Sequence, residues 1–209
     1  MRKLCGYILT CFLLFWAGNA SAQDTALLDK LYSSLSTSCV EMTYSYETEV
    51  SGVKAVGEGV LSVQEEMWTM DGNGIMMWCD GNSLWVADPS LKEVVIEPAS
   101  GEGDALFQVN PAALFVRMQS LFTVSRALES SDGKSVTFFL TPKLPGNMIF
   151  CDVEVDKINA SILSGIFAFK DGSSVHVKVS AMKSNPKREV KAFRPQMKFD
   201  SSWIVTDMR

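Results

Sequence analysis

The chain is poor in residues that do chemistry. Only one of its 209 residues is a histidine, His176, so a histidine-based triad has no second candidate. In "SSVHVKVSAMK" it shares a face with Ser174 and Lys178, and it reads as an exposed strand position rather than a positioned base. Neither CxxC nor HxxxH occurs, which removes the ligand spacings of a zinc site. The "GEG" pairs at 57–59 and 101–103 lack the lysine and helix of a phosphate loop. "DGNG" (71–74) and "DGNS" (80–83) lack the acidic spacing and closing glutamate of a calcium loop, and turn chemistry explains both better. Glu65 and Glu66 are adjacent, so on a strand they would point to opposite faces and could not act together. The expectation is therefore no enzyme, no cofactor and no metal.

Long apolar runs are also missing, except at the start. Met1-Arg2-Lys3 is a basic head, Leu4 to Gly18 is apolar, and "NASAQ" puts small residues at Ala20 and Ala22. That pattern is a secretory leader over residues 1–22, cut after Ala22, leaving 23–209 as one exported domain. No later stretch approaches the roughly 20 apolar residues that span a bilayer. No cysteine follows the cut site directly, so a soluble exported protein is expected rather than a lipid-anchored one.

Loss of the leader takes away two cations and leaves 17 basic against 24 acidic residues. A surface of net charge −7 repels phosphate backbones, which argues against nucleic acid as a partner. Cys39, Cys79 and Cys151 remain. An odd number leaves at least one thiol unpaired within the chain, and the sequence does not choose among a disulfide and three small buried hydrophobes.

What is present in quantity is large, soft, apolar surface in short alternating runs. "DTALLDKLYSSL" (24–35) has apolar residues at 27, 28, 31 and 35, one helical face behind an acidic start. From Val40 the period becomes two, with Val40, Met42, Tyr44, Tyr46 and Val50 against Glu41, Thr43, Ser45, Glu47 and Glu49. "SGVK" turns the chain and "AVGEGVLSVQ" returns it, with Gly57 and Gly59 marking a bend or a close approach to bare backbone. Short strands follow at "MWTM", "IMMWC", "LWVAD" and "EVVIE". "ASGEGDA" (99–105) is a flexible connector. "NPAALFVRMQSLF" (110–122) reads as a helix capped by Asn110, with Pro111 in its first turn. Strands resume at "SVTFFLT", "NMIFCDVEVD", "ASILSGIFAFKD" and "SSVHVKVSAMK". The proline-bearing tail suits an edge strand or an ordered extension.

The ordered set of motifs resembles the periplasmic outer-membrane lipoprotein carrier proteins, the LolA-like family. It comprises an amphipathic helix after the leader, "GEGVLSV" (57–63), "CDGNSLWVADP" and "NPAALF" (110–115). In the third, Asp80, Gly81, Leu84, Trp85, Asp88 and Pro89 fit DG-x-x-LW-x-x-D-P. The likeness spans nearly all of 23–209. It implies a mainly β fold with a few helices (α+β), a half-open, strongly curved antiparallel β-barrel with a helical lid. It also implies a chaperone that shuttles acylated cargo from an inner-membrane exporter to an outer-membrane receptor. An arginine that such carriers place before the "DG" hairpin is absent from "EEMWTMDGNG". The nearest, Arg117 and Arg126, cannot be assigned its role from sequence.

An open apolar barrel can hold acyl chains, each buried CH₂ contributing about 0.8 kcal/mol. Methionine suits such a lining because it repacks around different shapes. The expected lipid-binding cavity is Met42, Tyr44, Leu61, Trp68, Met70, Met77 and Trp85 on the strands, closed by Leu114, Phe115 and Met118 of the middle helix. The plain rival is that these residues face only one another as an ordinary core. Two readings follow. One is a periplasmic, monomeric carrier whose partner is an acylated lipoprotein or lipid. The other is a non-enzymatic β-rich interaction or sensor module on the same scaffold, with no lipid cargo.

Overall fold

The computed structural model describes residues 22–50, 52–99 and 113–209. The leader up to position 21, the connector at 100–105 and the expected cap at Asn110 and Pro111 fall outside them.

Helix α1 runs from Ala22 to Thr37 and buries Leu28, Leu31 and Leu35, the apolar stripe of an amphipathic helix. Six strands follow: β1 Cys39–Val50, β2 Val53–Gln64, β3 Met67–Gly72, β4 Ile75–Cys79, β5 Ser83–Asp88 and β6 Glu93–Pro98. Helix α2, Ala113–Leu121, leads directly into β7 (Phe122–Glu129). Then come β8 Ser135–Pro142, β9 Met148–Asp156, β10 Ile162–Phe169 and β11 Ser174–Asn185. A 3-10 turn at Val190–Phe193 and β12, Ile204–Asp207, complete the chain.

All twelve strands form one open, curled sheet in the order β12-β6-β5-β4-β3-β2-β1-β11-β10-β9-β8-β7. It is two meanders, β1–β6 and β7–β11, joined by the antiparallel pairing of β1 with β11 from Cys39↔Asn185 to Glu49↔Ser174. Strand β12 is the exception, adding to β6 in parallel with Ile204 beside Glu93. The turns follow local chemistry. Asn73 (φ 55°) and Gly74 (φ 79°) make the two-residue β3–β4 loop, where both residues need positive φ. Glu65 and Glu66 occupy the β2–β3 turn, with Glu65 at φ 56°, so they are not on a strand as the sequence suggested. A two-residue hairpin needs both positions for its reversal.

Alternation sorts the side chains onto two faces. The inner face carries the main core, which α1 and α2 cover with Leu28, Leu31, Leu35, Phe115 and Met118. The outer face is dressed in one region only. After β11 the tail crosses back over β2–β6, where the Arg188 N–H donates to Gln64 Oε1 (2.7 Å) and Gln64 Nε2 donates to the Arg188 carbonyl (3.0 Å). The 3-10 turn lies against β3 and buries Phe193. Met197, Phe199 and Trp203 then pack on a second apolar cluster of Trp78, Ala87, Val94 and Ile96.

Candidate functional site

The inner face is apolar across both meanders. Met42 faces Leu61, Leu61 faces Met70, and Met70 faces Met77, so one row of soft side chains crosses β1, β2, β3 and β4. Val63 and Trp68 form the next row beside Val40. In the other meander the row is Phe138, Val153, Gly165 and Val177, continued by Tyr46 on β1 and Gly57 on β2. On β9 the carboxylates are kept off this face. Asp152 and Glu154 alternate with Cys151, Val153 and Val155, which are buried.

Of the ten residues expected to line a cavity, Met42, Tyr44, Leu61, Trp68, Met70, Met77, Phe115 and Met118 fall together in the main core, and each is buried. Leu114 lies on α2, but its side chain is outside the described residues. Trp85 is elsewhere. It sits opposite Trp78 across β4 and β5, and Trp78 sits opposite Thr69, so both indoles have the parity of the outer face. Trp85 packs, half-buried, against the tail cluster, and Val86 takes the inner position beside Met77. The "LW" pair thus divides between the faces, Leu84 against the main core and Trp85 under the tail.

The glycines explain how aromatic rings lie flat on this sheet. A Cβ at Gly57 would fall 2.6 Å from Tyr46 Cζ, and one at Gly59 would fall 2.7 Å from the Asp71 carbonyl and 2.9 Å from Tyr44 Oη. The two tyrosines stack, with centroids 6.4 Å apart. Asn73 donates from Nδ2 to the Tyr46 hydroxyl (2.5 Å) while its Oδ1 accepts the Glu58 N–H at 3.2 Å. "GEG" is therefore a bed for two rings. A second bed lies at Gly165, where an added Cβ would fall 2.9 Å from Phe115 Cζ and 3.3 Å from Phe167 Cζ. Phe115 comes from α2 rather than from a neighbouring strand, and its ring tilts at 52° to Phe167, 5.8 Å away. Sequence reasoning missed Gly165, whose only signal was a lone glycine inside a strand.

Asp80 gives the "DG" motif a structural task. Its Oδ1 accepts the N–H groups of Asn82 and Ser83, both at 2.9 Å, and its Oδ2 accepts Arg194 Nε at 2.7 Å. The side chain is 3% exposed, that of Arg194 53%. Burial pushes the carboxyl up, but the Ser83 and Asn82 N–H groups and Arg194 outweigh it and hold it below the ordinary value. The hairpin and the tail are thus clasped at one carboxylate. Arg126 lies on β7, its guanidinium 4.0 Å over the Phe139 ring. Phe139 has outer-face parity, opposite Asp152, so Arg126 does not reach the inner face.

Among the described residues Cys39, Cys79 and Cys151 are buried and form no disulfide with one another. Burial, then the nearby Asp152, pushes the Cys151 thiol well above its usual range. His176 is exposed opposite Glu47. It borders an open groove of about 850 Å³ with Val56, Glu58, Glu154, Ile166 and Lys178. Tyr46, Gly57, Gly165, Val177 and Val179 border it as well, and none of the described residues expected to line a cavity does. Among the described residues no group of three or more His, Cys, Asp or Glu is placed to hold a metal ion. Among them also, no helix is long and apolar enough to cross a membrane.

No family model and no curated protein matches the chain. Solved structures do. An uncharacterized conserved protein from Thermus thermophilus superposes with TM-score 0.54 at 12% identity, covering 88% of this chain and 98% of that one. The two share a fold. A LolA superfamily protein from Nitrosomonas europaea gives TM-score 0.45 at 12% identity over 82% of this chain and 97% of its own. An outer membrane lipoprotein-sorting protein domain from Vibrio parahaemolyticus gives 0.43 at 11%, over 80% and 94%. At such identities the superposition on the Thermus protein shows a shared fold and nothing finer.

Proposed function

We propose that this protein is a non-enzymatic periplasmic carrier. It takes up acyl chains of lipoproteins or lipids on the inner face of its sheet and carries them from the inner to the outer membrane. The supporting observation is that the apolar inner face is roofed at Phe115 and Met118 by α2, a nine-residue helix. Helices this short are marginal on their own, so α2 holds its place through the side chains it buries. Lifting it exposes apolar surface that an acyl chain covers again, at about 0.8 kcal/mol for each CH₂. Methionines at 42, 70, 77 and 118 let the lining repack around chains of different shape.

In this reading the monomer accepts cargo from an inner-membrane exporter and yields it to an outer-membrane receptor that binds it more tightly. The leader at 1–22 supplies export. Release works without the family's usual arginine, by the seating of α2 itself. Protein exported with its own leader and purified from the periplasmic fraction without detergent should yield acyl-bearing lipid or lipopeptide on solvent extraction and mass spectrometry. Protein that carries none, and takes up none from vesicles or micelles of acylated peptide, would leave the interaction-module reading in its place.

A further inference from the structure

We infer that the acyl chain has a defined seat at Gly165, in the β9–β10–β11 part of the inner face, and that Phe115 is the plug that occupies it in the empty protein. This rests on the carrier reading and goes beyond it, because the methionine and tryptophan side of the sheet had been the expected lining. Gly165 does not have a positive φ, so the backbone does not demand glycine there. The demand is for space, and the space is filled by the edge of Phe115, with Cζ 2.9 Å and Cε1 3.0 Å from where a Cβ would stand.

The floor around the notch is apolar and buried: Val153 and Val177 flank Gly165 across the strands, Phe138 lies beyond Val153, and Phe167 lies two residues along β10. From Phe138 to Tyr46 the row crosses four strand spacings, about 19 Å, a trough suited to one unbranched hydrocarbon chain laid across the strands.

The other glycine bed of this face cannot serve. Its rings come from Tyr44 and Tyr46 of β1, a strand paired on both sides, and Asn73 holds the Tyr46 hydroxyl. Phe115 sits instead near the start of a helix tied at its far end, where the Lys143 N–H donates to the Leu121 carbonyl (2.9 Å) and Lys143 Nζ to the Gln119 carbonyl (3.0 Å), so the ring can swing away while that end stays attached. A methylene chain that replaces the ring meets the same carbon surface, so exchange costs little polar desolvation.

The test uses the exported protein and two photoreactive probes, palmitic acid with a diazirine near its methyl end and a triacylated lipopeptide carrying the same label. Crosslinks mapped to peptides of β9, β10 and β11 around Val153, Gly165 and Val177 are expected. Labelling by both probes marks a general acyl seat, and labelling by the lipopeptide alone assigns the source as lipoprotein. In parallel, Phe115→Ala should take up probe faster than the parent. Gly165→Leu, filling the notch from the sheet, should take up about tenfold less while keeping its circular dichroism. Crosslinks confined to the Met42, Trp68, Met70 and Met77 peptides, or variants that take up probe as the parent does, would overturn the seat and leave the carrier standing. A parent protein labelled by neither probe would overturn both.

Discussion

The two glycine beds of the inner face use one device for opposite ends. At Gly57 and Gly59 the rings belong to the adjacent strand, Asn73 ties that of Tyr46, and a Cβ at Gly59 would meet backbone, the Asp71 carbonyl. At Gly165 the ring arrives from a short helix, and the nearest atoms an added Cβ would meet are all side-chain atoms, of Phe115 and Phe167. The outer face repeats the contrast, since the tail braces β2–β6 while His176, Lys178 and Ile166 of the other meander stand exposed. One half is fastened on both faces. The other is closed from within, by a ring carried on a short helix where the first has its rings on a paired strand.

The comparison breaks if the two beds respond alike to added bulk. Gly59→Val should have the largest effect, about 3 kcal/mol of stability or more, because backbone rather than a movable ring stands in the way. Urea midpoints of parent and variant measure it. Asp80→Ala should lower stability by about 2 kcal/mol, since it deprives two N–H groups and Arg194 of their acceptor.

The Asp80 carboxyl is held below its unfolded value, so its contribution is present above about pH 4 and fades as pH falls through the folded value. Acid should therefore loosen the clasp, an effect missing from Asp80→Ala. Gly165→Ala should cost only about 1 kcal/mol, because Phe115 can shift. A loss equal to that of Gly59→Val would erase the distinction.

The smallest effect concerns α1. Burial, then Cys151 and Asp29, pushes the Tyr32 phenol up to about 12. Folding favours its neutral form, so this contribution is whole below about pH 10 and is lost as pH rises toward 12. A tyrosinate absorbance titration of parent against Tyr32→Phe would show one late-ionising phenol.

Most of this architecture was legible because alternation is a strong signal wherever one face is wet. The runs at 39–50 and 173–183 became strands β1 and β11 as the pattern implied, while the wholly apolar 75–79, β4, was marked by the turns on either side of it. Strand β7 was not legible. Its alternation is interrupted by a register shift between Val124 and Arg126, and the apolar pattern of α2 runs straight into Phe122. Trp85 was misassigned by parity, which is settled only when Met70 is seen opposite Met77 and Trp78 opposite Trp85. The tail offered Met197, Phe199 and Trp203 without a period that names their partners, and nothing local announces a parallel strand beside Glu93. Gly57 and Gly59 advertised close approach as a pair, whereas Gly165 stood alone.

The seam between β1 and β11 has a kinetic consequence. Every antiparallel pair within a meander joins segments near one another along the chain, so each ribbon can zip from its own turn. The seam instead brings Cys39 to Asn185 and Tyr46 to Val177, so most of the chain must be gathered before its first rung forms. Closing so large a loop costs entropy before any contact repays it. The refolding rate should therefore follow substitutions in β1 and β11 more closely than those in any hairpin, and until the seam closes β1 and β11 each present a bare hydrogen-bonding edge.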